Sequence, residues 1–110
     1  MHDVFYSDYG REVHVPSSEP TRMDLESILR LMDQVLVAPD NFLGVVDQDD
    51  HTLQFLVNPE QTVWMEIPAP DQGGSYGKDA SLEDCKLAVE QARGSFSIEK
   101  IPGLRFQSWE

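Results

Sequence analysis

Three apolar runs joined by four-residue polar links constrain this chain most: Phe42–Asp47 (FLGVVD), Thr52–Val57 (TLQFLV) and Thr62–Ile67 (TVWMEI). Runs of this length and residue type read as strands. Links this short cannot make the crossover that parallel strands require, so the three predict an antiparallel meander. The first run is almost wholly apolar, as suits a central strand. The other two alternate, setting Leu53, Phe55 and Val57 beside Val63, Met65 and Ile67 on one face.

The flanking segments supply what must cover that face. Val4–Tyr6 and Glu12–Val15 read as a short N-terminal hairpin around the turn-rich SDYGR. Thr21, three residues before Asp24, reads as the cap of a helix in a weakened capping box. Leu25, Ile28, Leu29, Met32 and Val35/Leu36 then form one apolar stripe, ended by Pro39. Pro68–Ser81 (PAPDQGGSYGKDAS) reads as a long loop without secondary structure, functional or mobile, whose glycines give freedom of movement. Ser81, with Asp84 three residues on, caps a second helix with Leu82, Cys85, Ala88, Val89 and Ala92 on its stripe and Gly94 at C′. Phe96 and Ile98 are expected to finish that core, and LRFQSWE to close the chain as a strand. The order β-β-α-β-β-β-α-β predicts a single α+β domain over residues 1–110: an antiparallel sheet, central meander plus N- and C-terminal strands, packed with two main helices.

Charge narrows the function. Eight Lys+Arg stand against 20 Asp+Glu, a formal net charge of −12. Such a surface repels nucleic acid and anionic membrane and favours a basic partner, although solubility alone accounts for many acidic proteins. No apolar stretch approaches the ~20 residues of a membrane span. The N-terminus lacks a basic segment followed by an apolar run, so a cytoplasmic protein is expected. One cysteine excludes an internal disulfide and a multi-cysteine zinc site.

The motifs for chemistry fail one by one. Asp47, Asp49 and Asp50 crowd the first meander turn, as a metal loop, a catalytic cluster, a solvated turn or a handle for a basic partner. Counted as a calcium loop from Asp47, the sixth residue is Thr52 and the twelfth Pro59, where glycine and glutamate are required. GGSYGKD lacks the first glycine of a phosphate loop and carries Asp79 where a magnesium-binding hydroxyl belongs. His2, His14 and His51 are dispersed, and Cys85 sits on an apolar helix stripe, so no catalytic residue, metal or cofactor is expected. Trp64 is more informative. It falls on the face opposite Val63 and Met65, beside Glu66, with Gln54 and Leu56 across from it. Either a helix or the last strand covers it, or it is a binding hot spot in an acidic setting. Trp109 allows the same two readings.

The order of elements resembles that of the Imm-one family of immunity proteins from bacterial polymorphic-toxin systems, which includes inhibitors of DNA-deaminase toxins. The resemblance runs along nearly the whole chain. REVHV precedes the helix LESILRLM, and NFLGVV leads into TLQFLV and its hairpin partner TVWMEI. A Gly/Ser-rich loop, the helix LEDCKLAVEQA, a phenylalanine, a proline and the closing LRFQSWE follow. It implies a protein that is no enzyme. Such a protein binds a cognate toxin domain, a deaminase or nuclease with a basic active-site surface, and occludes it, in competition between bacteria. Asp47, Asp49, Asp50, Trp64, Glu66, Asp71, Tyr76 and Asp79 are then the expected contacts, the acids standing where phosphates would. The alternative is an acidic binding module or DNA mimic acting on a basic nucleic-acid-binding protein. Neither reading has the chain itself bind nucleic acid, and oligomeric state is left open.

Overall fold

The structure is a computed structural model that describes residues 1–92 and 95–109. Its strands, in chain order, are β1 (His2–Asp8), β2 (Val13–Val15), β3 (Thr21–Met23), β4 (Phe42–Val46), β5 (Thr52–Val57), β6 (Val63–Ala69), β7 (Gly74–Ala80) and β8 (Arg105–Ser108). Two helices, α1 (Leu25–Val35) and α2 (Leu82–Gln91), follow β3 and β7. All eight strands form one antiparallel sheet in the order β2-β1-β4-β5-β6-β7-β8, and β3 shares the outer edge of β1 with β2. The α+β class and the β4-β5-β6 meander are as the sequence predicts.

Both helices pack on the same face of the sheet. Ile28, Met32 and Val35 of α1 and Cys85, Ala88 and Val89 of α2 meet Val4, Leu43, Val45, Leu53, Phe55, Val57, Val63, Met65 and Ile67 in one core. These are the inward positions of a two-residue period, so every second strand residue faces away from the helices. Phe96 closes the core as expected, but Ile98 and Leu25 are exposed. Burial pushes the Cys85 thiol up to about 12, with Asp84 adding to the effect.

Two elements differ from expectation. Thr21 pairs with Val4 in β3, and Asp24 is the α1 cap, its Oδ1 accepting from the Ser27 N–H at 2.8 Å. Asp is among the strongest caps, and here it prevails over the Thr three residues earlier. Pro68–Ser81 is no mobile loop. After a short 3-10 turn at Pro70–Gln72, Gly74–Ala80 pairs with β6 from Val63↔Ala80 to Ala69↔Gly74. The Ser81 cap of α2 is present, with Ser81 Oγ accepting from the Asp84 N–H. The expected C′ residue, Gly94, lies outside the described residues. Among the described residues no helix is long and apolar enough to cross a membrane.

Candidate functional site

The face of the sheet turned from the helices has no second layer among the described residues. The registers place Phe5, Gly44, Gln54, Glu66, Gly77 and Arg105 in one row across it, and Phe42, Leu56, Trp64 and Asp79 in the next. Leu56 is 43 % exposed, and Phe5, Phe42 and Trp64 are half-buried by one another and by the sheet. Together with Gln54 and Glu66 they line a depression of about 270 Å³. That is below the ~300–1,000 Å³ of small-molecule sites.

Two glycines shape this floor. A Cβ on Gly44 would collide with the Phe5 ring, so Phe5 leans across its neighbour β4 over a bare backbone. A Cβ on Gly77 would stand 2.5 Å from Trp64 Cζ2. The missing side chain lets the indole recline over β7 with its nitrogen edge towards Glu66. Gly77 is thus a packing residue.

Glu66 is the polar centre. Its Oε1 accepts from Gln54 Nε2 at 2.7 Å; its Oε2 accepts from Ser75 Oγ at 2.8 Å and Trp64 Nε1 at 3.1 Å. Burial alone would raise the carboxyl pKa. The three donors more than offset it, and Glu66 is held below the ordinary carboxylate value. Asp79, cross-strand partner of Trp64, accepts from Asn58 Nδ2 at 2.9 Å and is exposed. Trp64 is therefore covered by neither helix nor by β8, which lies beside β7 in the plane of the sheet.

The acidic turn divides into unlike parts. Asp47 is buried, its side chain 0 % exposed. Oδ1 accepts from the backbone N–H of Asp49 at 2.8 Å and of His51 at 2.9 Å, and Oδ2 from that of Phe96 at 2.9 Å. Burial acts to raise its pKa, and the N–H groups of Phe96, His51 and Asp49 outweigh it, so the pKa is lowered. Asp47 is a tie within the fold, and its side chain cannot form part of an exposed acidic surface. Asp49 and Asp50 are exposed at the tip. Dispersed in sequence, the histidines still supply one neighbour here: Asp47, Asp49 and His51 bring one ligand atom each within 4.8 Å. The hydrogen bonds already described engage both oxygens of Asp47.

The remaining predicted contacts fall on a different surface. Asp50, Asp71 and Tyr76 line one cleft of about 510 Å³ with Ile67, Pro68 and Ile98. Tyr76 donates to Gln72 Oε1 at 2.7 Å and packs edge-on against Phe106, ring centroids 5.3 Å apart. The structure thus groups Trp64, Glu66 and Asp79 on the open face and Asp50, Asp71 and Tyr76 in the cleft. Trp109 follows β8 and is 59 % exposed. Phe5, Phe42, Ser75 and Gly77 were not legible as site residues. Alternation in β5 does place Leu56 outward, but the almost wholly apolar β4 hides the face of Phe42, and nothing in the sequence singles out Gly77.

Comparison of the chain with models of protein families, with curated proteins and with solved structures gives no match.

Proposed function

We propose that this protein is a non-catalytic inhibitor. It binds a toxin domain that handles nucleic acid through a basic surface, a deaminase or nuclease, and covers that surface in the cytoplasm of the cell it protects. The observation that carries this reading is the open sheet face. Four large apolar side chains, Leu56 exposed and Phe5, Phe42 and Trp64 half-buried, lie uncovered by any second layer among the described residues, beside a carboxylate held ionised. A monomeric domain gains nothing from such exposure, whereas an interface needs aromatic anchors beside fixed polar groups. The net charge of −12 supports a basic partner, because it accelerates encounter with a surface built to hold phosphate. The resemblance in element order to the Imm-one family points to the same class.

Co-expression with a toxin domain encoded beside this chain tests the proposal. Growth is restored and the two proteins co-purify as a tight complex. Restored growth without a complex would refute occlusion and favour an enzyme that reverses the damage. Weak capture of many basic proteins would favour the DNA-mimic reading.

A further inference from the structure

Around Glu66, acceptor capacity and ring surface are left over in a definite arrangement. A carboxylate offers about four acceptor positions. Gln54, Trp64 and Ser75 take three, two of them on Oε2, so the remaining one is on Oε1. Gln54 must present its amide nitrogen to a carboxylate, which leaves its amide oxygen facing away from Glu66 and open to a second donor. The indole of Trp64 reclines beside them over Gly77. The depression they line, about 270 Å³, suits one side chain better than a metabolite. Arg105 shares this face opposite Gly77, and among the described residues the donors on Glu66 are the neutral groups of Gln54, Trp64 and Ser75.

We propose that the Trp64–Glu66–Gln54 depression is a receptor for a single arginine side chain of a basic protein partner. The proposal rests on the inhibitor reading and names the group that would be recognised. A guanidinium is planar and carries several donors in a fixed fork. It can stack on the indole and donate to Glu66 Oε1 and the Gln54 amide oxygen together. An ammonium is a point charge without a stacking face and would use one of these features at a time. The exposed carboxylate of Asp79, across from Trp64, adds negative potential on the approach.

The test titrates the intact protein with a tetra-arginine peptide at 150 mM salt while the Trp64 indole N–H resonance is followed. Trp109→Phe assigns the two indole signals. The expected result is a saturable shift of the Trp64 signal with arginine and none with a tetra-citrulline peptide, which has the same shape without the charge. Glu66→Gln weakens the arginine effect at least five-fold. The citrulline comparison uses the unaltered protein and does not depend on the variant's folding. Equal shifts with both peptides, or an unmoved Trp64 signal at saturating tetra-arginine, would overturn the arginine site. That outcome alongside an intact toxin complex removes this site alone. Loss of both growth rescue and complex removes the inhibitor reading itself, whatever the peptide does.

Discussion

The backbone N–H of Phe96 donates to Asp47 Oδ2 at 2.9 Å, joining the tip of the first meander hairpin to the segment that follows α2. Asp47 also holds the N–H groups of Asp49 and His51, so one buried carboxylate fixes the shape of the turn and seats Phe96 in the core. Asp47→Ala leaves three donors without their acceptor and should cost about 3–5 kcal/mol. Asp47→Asn keeps one acceptor and should cost about 1.5–3 kcal/mol. The folded carboxyl has a pKa below its ordinary 3.8. Its contribution is therefore complete above pH 3.8 and is lost as the pH falls through the lower folded value. Denaturant unfolding of wild type and Asp47→Asn checks this, because the gap between them should narrow only below about that pH.

Gly77→Ala should displace Trp64. The new methyl would stand 2.5 Å from Cζ2 and 2.9 Å from the Met65 carbonyl oxygen, so the indole must lift and its bond to Glu66 break. A loss of about 1–3 kcal/mol is expected, together with a red shift of tryptophan emission.

Trp64→Ala separates binding from folding. Half-buried on an uncovered face, the indole should contribute about 1–3 kcal/mol to stability, less than the 3–5 kcal/mol of a fully buried aromatic. Against a captured toxin the same change should raise the dissociation rate and cost about 2 kcal/mol or more. Melting and surface-based kinetics on one preparation give both values.

Asp49 and Asp50 should act through encounter. Replacing both with Asn should leave the melting midpoint unchanged, since Asn accepts the left-handed backbone of Asp50, φ 63°. The association rate with the toxin should fall several-fold and lose much of its salt dependence. Stopped-flow mixing at two ionic strengths measures both.

Cys85 should be inert in the folded protein. Its thiol is buried and its pKa is pushed up to about 12, so almost no thiolate exists at neutral pH. Labelling by a thiol reagent should follow global unfolding in denaturant.

Periodic burial was readable from the sequence, and cross-strand accommodation was not. Leu53, Phe55 and Val57 announced their face because each is large and apolar at a two-residue interval. The α1 stripe of Ile28, Met32 and Val35 did the same at helical spacing. β7 hid because GSYGKDA has little of either signal. Two of its positions are glycine because the Gln107 carbonyl oxygen and the Phe106 ring at Gly74, and the Trp64 indole at Gly77, occupy the space a Cβ would need. The α1 start was misplaced because Thr21 and Asp24 both fit a cap, and the choice depends on the pairing of Thr21 with Val4. At the site, Trp64 and Glu66 stood out as an aromatic beside an acid. Asp47 could not be told from Asp49 and Asp50, because what separates them is Phe96, 49 residues away in the chain.

The position of β1 within the sheet has a consequence for synthesis. Its outer edge pairs with β2 and β3, which leave the ribosome soon afterwards, but its inner edge pairs Asp3 with Val46 and Ser7 with Phe42. The nascent chain must carry a half-satisfied first strand through translation of the whole of α1. The remaining strands up to β7 form by local hairpins or around the short Pro70–Gln72 turn. The β1–β4 seam is therefore the pairing most distant in sequence within the sheet, and β8, joined to β7 only after α2, is the other strand that must wait for a long loop to close.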